Sequence, residues 1–452
     1  MTQALFDPAK TGLLFFDMLK GYAYGPDLQT VIPEARGQVA ACIRLLRAAR
    51  QHGTPVFYAQ ADHRSDGRDH ALAVTDIDLA RNPSQAAGLG IASGAREAEV
   101  IDELAPQPQD YVIKKHRWSA FFQTELELSL RARGIDTLLV AGGSTEVGIG
   151  ATAYAARDLD ISTVVVRECM RSGRGAYVSD YCVNEVFPRL SRVRSVDQII
   201  GALANGGQEE NAPAPNTPPQ GRSGSVSRVA RPQLAIKNEP QLDPKRTGLV
   251  LFDTLKRYFY DESMSALLPE TKNQLAACQR ILATARKLRL PVFYPAADHR
   301  EDGADWATAV PDATWDQMVE RFGRLRVAPG LHHGGESAEV VPELAPEPSD
   351  YMVLKHRWSS FHGTHLELSL RTAGVDTILL AGGSTEIGII STAYGARDRD
   401  FSLVILQDAC RSARPGMDAF LMEHVFPRMA RVRTVEQTID LLAPSPSGRG
   451  LG

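Results

Sequence analysis

Thr11–Tyr22 reads TGLLFFDMLKGY and Thr247–Tyr258 reads TGLVLFDTLKRY. In each, a short, largely apolar run leads into an aspartate, Asp17 or Asp253, the pattern of a buried strand that ends on an acid. The likeness continues outward. YVIKKHRWSAF at 111–121 returns as YMVLKHRWSSF at 351–361, AGGSTEVG at 141–148 as AGGSTEIG at 381–388, and VFPRLSRVRSV at 186–196 as VFPRMARVRTV at 425–435. The offset grows from 236 to 240, and is 239 at the last pair, so the second copy carries four extra residues between the positions equivalent to Asp66 and Tyr111. Units of this length are whole domains rather than solenoid repeats. Between them, about 205–233, lies a Pro-, Gly-, Ser- and Asn-rich stretch with almost no large apolar residue, expected to be an extended or disordered linker. The predicted organisation is a first domain at 1–204, a linker at 205–239, a second domain at 240–443 and a tail at 444–452.

Within each copy, strand-like and helix-like segments alternate. TGLLFFD, TPVFYAQAD, DYVIKK, DTLLVAGG and STVVVRE read as strands. VIPEARGQVAACIRLLRAARQHG has apolar residues at helical spacing and closes on a glycine, 124–134 reads as a helix, and EVGIGATAYAARDLD as another. This alternation predicts an α/β fold, a three-layer α/β/α domain with a mainly parallel sheet, present twice. Ligands of such sheets sit at the carboxyl ends of the strands. Asp17, Lys115 and Gly143–Gly148 fall at or just after those ends, which suggests one pocket per copy.

The 452 residues are 43% hydrophobic and 23% charged, with a net charge of −4. That composition carries no basic excess with which to hold nucleic acid or an anionic membrane. No apolar run approaches the length of a membrane span. MTQALFDPAKTG has neither the basic nor the apolar region of a secretory signal. The five cysteines include no C-x-x-C pair and make no disulfide framework, so a reducing cytoplasm is the expected location. Cys42 and Cys278 occupy equivalent helix positions and read as buried; Cys169, Cys182 and Cys410 have no cysteine counterpart in the other copy.

Asp17 and Asp253 read either as partly desolvated general acids or as turn and cap aspartates. Lys115 and Lys355, in K-H-R-W-S-x-F, either hold an aspartate ionised or lie on the surface. Arg117 and Arg357 fork onto a substrate carboxylate or make a structural ion pair. Trp118 and Trp358 are pocket walls or core. The G-G-S-T-E-[VI]-G segment, with Thr145, Glu146, Thr385 and Glu386, opens a helix whose free N–H groups suit an oxyanion. Glu146 and Glu386 either activate a water or serve the helix dipole.

Taken together these pieces resemble the isochorismatase-like hydrolases, over roughly 10–203 and 244–442. That family shows an Asp after the first strand, a Lys followed by Ser-x-Phe, then G-x-x-T-x-x-C-V-x-x-T-A. The resemblance assigns the catalytic Asp to Asp17 and Asp253, the Lys to Lys115 and Lys355, and the Ser-x-Phe aromatics to Phe121 and Phe361. The last block reads GGSTEVGIGATA (142–153) and GGSTEIGIISTA (382–393), so the family's cysteine nucleophile is Gly148 and Gly388 here. Glycine cannot form an acyl-enzyme. True isochorismatases also lack the cysteine and carry a K-x-R-aromatic-S-A-F segment like Lys115–Phe121. In them an aspartate protonates an enolpyruvyl double bond and water attacks, which here implies Asp17 and Asp253 as acids, Lys115 and Lys355 as their partners, and Arg117 and Arg357 as cations for a diacid.

Relatives that hydrolyse nicotinamide bind zinc through Asp and His residues after the second strand. The matching stretches are ADHRSDGRDH and ADHREDGADW, in which Trp306 replaces His70, so a site using His70 is expected in one copy only. The retained turn, with His63, Arg64, His299 and Arg300, reads as pocket lining, and no metal or cofactor is expected. The expected function is metal-free, non-covalent hydrolysis of a small polar metabolite. A cysteine-independent amidohydrolase and a binding pseudoenzyme are the alternatives. The expected partner is the small-molecule substrate, with no nucleic acid and no membrane. The family's habit of dimerising implies an internal pseudo-dimer and further homo-oligomers. The copies differ near the site, where Phe122, Gln123 and Glu125 become His362, Gly363 and His365.

Overall fold

The computed structural model describes residues 4–71, 73–80, 91–209, 239–261, 263–312 and 331–443. Most of the expected linker, 210–238, and the tail, 444–452, lie outside the described residues. Each copy builds a six-stranded sheet in which every pairing is parallel. In the first, β1 (Thr11–Phe16), β2 (Val56–Ala61), β3 (Tyr111–Lys115), β4 (Thr137–Gly143), β5 (Ser162–Arg171) and β6 (Arg192–Arg194) lie in the order β3-β2-β1-β4-β5-β6. The second repeats this with β7 (Thr247–Phe252), β8 (Val292–Ala297), β9 (Tyr351–Lys355), β10 (Thr377–Gly383), β11 (Ser402–Arg411) and β12 (Arg431–Arg433). Two α/β domains of the expected class are therefore present.

The pattern of burial explains the order. β1 and β2 are buried along their whole length, as befits central strands covered on both faces, whereas β3 alternates, as an edge strand does. The helix Arg36–Gln51 lays Val39, Cys42, Leu45, Leu46 and Ala49 toward the core, and Cys42 and Cys278 are fully buried as expected. The chain reverses direction across the sheet between β1 and β4, which opens the crevice where such folds hold ligands. Asp17 and the glycine turn after β4 flank that point.

Two elements depart from expectation. β6 and β12 are three-residue strands that close the far edge, although VFPRLSRVRSV carries no strand-length run. The helix expected from Glu146 starts instead as a π turn, Thr145–Ile149, and becomes α-helical only over Gly150–Asp158. The second copy does the same over Thr385–Ile389 and Ile390–Asp398. A π turn at this place widens the backbone beside the crevice.

The chain packs as two compact units, and each takes described residues from the other repeat: the first includes 307–312 and the second includes 71 and 73–80. In the first unit Arg194, buried at the end of β6, pairs with Glu209 and with Asp312 at 2.8 Å, and Asp312 also accepts the Val193 N–H at 2.7 Å. In the second unit Arg433 pairs with Asp76 at 2.8 Å and with Glu239 at 2.9 Å, and Asp76 accepts the Val432 N–H at 2.9 Å. No described helix is long and apolar enough to cross a membrane.

Candidate active site

β1 and β3 end level with one another on either side of β2, and this brings Asp17 and Lys115 together. Lys115 Nζ donates to Asp17 Oδ2 at 2.8 Å, and the Ala61 N–H at the end of β2 donates to Oδ1 at 2.9 Å. In the second copy Lys355 Nζ lies 2.9 Å from Asp253 Oδ2, and the Ala297 N–H donates to Oδ1 at 3.0 Å. Both lysines and both acids are almost wholly buried. This geometry supersedes the cap and surface readings: the acids are not helix caps and the lysines do not reach into solvent. Asp17 and Asp253 adopt φ of 48° and 46°, an uncommon conformation for a residue with a side chain and one that clusters at functional sites. Burial raises the Asp253 carboxyl above its ordinary range, although Lys355 and the Ala297 N–H pull the other way.

The glycine turn after β4 passes close beneath. A Cβ on Gly142, which has φ 133°, would lie 2.1 Å from the Phe16 carbonyl oxygen, so only glycine fits. Gly148 and Gly388 face the rings of Phe16 and Phe252. Thr145 and Glu146 are buried within the turn: Thr145 Oγ1 lies 2.9 Å from Ser179 Oγ, and Glu146 accepts the Ser144 hydroxyl at 2.8 Å. Thr385 and Glu386 are equally buried, and Ser384 donates to Glu386 at 2.5 Å. The carboxylates are thus engaged in shaping the turn.

The turn after β2 brings another group together. His63 Nδ1 lies 3.5 Å from Asp69 Oδ2, and His116 Nδ1 is 3.4 Å from the same oxygen. The rings of His63 and His70 meet edge-on at 4.6 Å. His63, Asp69 and His70 offer ligand atoms within 4.8 Å of one another; His299, Asp305 and His356 do so in the second copy. The group that uses His70 occurs in the first copy, and Trp306 takes that position in the second; the second copy's group takes His356, the counterpart of His116, from the strand end after β9. Imidazole nitrogens and a carboxylate are fitting donors for a divalent cation. Burial lowers the His63 and His299 pKa values, against the pull of Asp69 and Asp305. Lys115 and Lys355 add to that lowering.

Other expected pocket residues are engaged elsewhere. Arg64 makes a bidentate pair with Asp66 in its own turn, and Arg300 does so with Asp302; all four are well exposed. Arg117 Nη1 donates to the carbonyls of Asp69 and His116, and Arg357 Nη1 to those of Asp305 and His356, so these cations brace the histidine turn. Trp118 and Trp358 are half-buried in both copies. Phe361 is buried and stacks on Phe401 at 5.8 Å, whereas Phe121 is half-buried. Phe16, Phe252, His116 and His356 were not singled out by sequence reasoning. The one available signal was their recurrence at the same place in both copies.

In each domain, then, a carboxylate–lysine pair sits at the switch point of a parallel α/β sheet, with glycine at residue 148 or 388 nearby. The isochorismatase domain model matches residues 11–198 and again 247–437, and the chain belongs to the isochorismatase family. An uncharacterised isochorismatase family protein, YecD, of Escherichia coli O157:H7 is 43% identical over 113 residues, spanning 23% of this chain and 60% of that protein. YwoC of Bacillus subtilis (strain 168), also an uncharacterised family member, is 31% identical over 206 residues, spanning 45% of this chain and 98% of that protein. Ureidoacrylate amidohydrolase RutB of Variovorax paradoxus (strain S110) is 29% identical over 205 residues, spanning 43% of this chain and 81% of that protein.

Proposed function

We propose that this family member is a hydrolase of small polar, carboxylate-bearing metabolites that works without a covalent intermediate. The observation that carries the reading is the pairing of a buried Asp–Lys couple with glycine at residue 148, repeated with Asp253, Lys355 and Gly388. Asp17 or Asp253 protonates the substrate as its bond to the leaving group weakens, water adds to the electron-poor carbon, and the proton released by that water returns to the carboxylate. Lys115 or Lys355 orients the carboxylate and offsets negative charge as it develops. If a divalent cation binds, His63, Asp69 and His70, or His299, Asp305 and His356, would hold it; it would supply charge beside the pocket.

Similarity to a ureidoacrylate amidohydrolase favours a second reading, in which the same pair serves cleavage of a C–N bond by water. Incubation with isochorismate and a panel of small amides, with pyruvate and ammonia assayed in parallel, separates the two. Pyruvate release lost in the Asp17→Asn/Asp253→Asn protein supports vinyl-ether hydrolysis; ammonia release supports the amide reading; neither product counts against both.

A further inference from the structure

The residue before each acid is aromatic, and its ring fills the place from which a nucleophile would act. Phe16 and Phe252 are 1% exposed. A Cβ built on Gly148 would lie 2.1 Å from Phe16 Cε1 and 2.2 Å from Cζ; on Gly388 it would lie 2.0 Å from both Cε1 and Cζ of Phe252. Real Cβ atoms essentially never come within 3.0 Å of a neighbour, and a close-packed interior leaves such a ring little room to give way. Neither Gly148 nor Gly388 has positive φ, so the backbone does not demand glycine there; the ring does. The same ring has a second neighbour. Lys115 Nζ lies 4.3 Å from the centroid of Phe16, and Lys355 Nζ 4.3 Å from that of Phe252. An ammonium over a desolvated aromatic face is held electrostatically, within the usual reach of about 6 Å.

We infer that Phe16 and Phe252 are positioning residues for Lys115 and Lys355, and that each Phe–Gly pair is one steric unit in which the ring takes the space of a residue-148 or residue-388 side chain. The ring holds the ammonium so that it meets the carboxylate oxygen, and it closes the position from which a side chain could attack the substrate. Restoring a nucleophile thus takes two changes, and the second removes the face that steadies the lysine. The chemical consequence rests on the proton-transfer reading above; the packing does not.

Two measurements on the full-length protein test this. Phe16→Leu keeps bulk against the sheet while removing Cε1, Cζ and the π face. The first measurement is a thermal-denaturation cycle of wild type, Gly148→Ala, Phe16→Leu and the double variant. Gly148→Ala alone is expected to lose several degrees of Tm or fail to fold, whereas adding Gly148→Ala to Phe16→Leu lowers Tm no further. A Gly148→Ala protein with the wild-type Tm, or losses that simply add, would overturn the steric claim.

The second is a lysine-selective 13C NMR spectrum, with the Lys115 signal assigned by its disappearance in Lys115→Arg. Phe16→Leu is expected to raise the mobility of the Lys115 Cε group, read from its 13C relaxation, toward that of surface lysines, and to leave distant lysines as they are. An unchanged Lys115 Cε mobility sinks the positioning role. Phe252→Leu and Gly388→Ala give the same two tests in the other copy. A wild type releasing neither pyruvate nor ammonia would count against the functional reading without touching either result.

Discussion

Asp17 and Asp253 each have both carboxylate oxygens engaged, one by a lysine and one by a backbone N–H. Exchanging both for Asn keeps the shape but removes the titrating proton and leaves each buried lysine without its counter-charge, so turnover should fall by about 10²- to 10⁴-fold, measured as initial rate, and Tm should fall with it. In Asp17→Asn only the second copy can use its acid. Because burial raises the Asp253 pKa above 3.8, that carboxyl keeps its proton to higher pH than a free aspartate. If it serves as the acid, the rate should decline as pH rises through this raised value. A rate that climbs through the same region would mean that the ionised form acts as base, the role expected in an amide-cleaving mechanism. Asp17 and Lys115 were legible in the sequence because strand ends in a parallel sheet converge. The destinations of Arg64 and Arg117 were not, since a guanidinium goes to whichever acceptor the turn presents, here Asp66 and the carbonyls of Asp69 and His116.

Turns carry the site at the level of the element. Gly142, at φ 133° with Phe16 O only 2.1 Å from a hypothetical Cβ, ties β1 to the glycine turn. Gly142→Ala should cost about 3 kcal/mol, read by chemical denaturation, because both backbone and packing resist the added methyl. The turn after β2 supports a separate expectation. The proton-transfer mechanism takes nothing from a cation, so exhaustive chelation should leave turnover within about twofold of the untreated enzyme. Loss of activity restored by zinc would instead give His63, Asp69 and His70 a direct part. β1, β2, β4 and the long helices were readable from their apolar periodicity. The π turn at Thr145 and the three-residue β6 were not, for neither has a period long enough to register and both are set by their neighbours.

The duplication governs the whole molecule, yet the two compact units are not the two repeats. Residue Asp312 of the second repeat belongs to the first unit, where it satisfies buried Arg194 together with Glu209. A chain ending at residue 204 lacks both carboxylates. It should therefore melt well below the full-length protein or fail to express in soluble form, since an unpaired buried charge costs about 3–5 kcal/mol. By itself the sequence determined the tandem repeat, the α/β class, the strand that carries each acid, and the glycines at 148 and 388. These are written in local order: periodicity, repetition and the identity of single residues. Only the tertiary structure decided that a phenylalanine ring lies against each of those glycines, that His356 completes the second copy's histidine group, and that segments near residues 76 and 312 join the other repeat's unit. Each of these depends on distances between residues far apart in the chain, which arise only when the sheet has formed and its loops have closed over it.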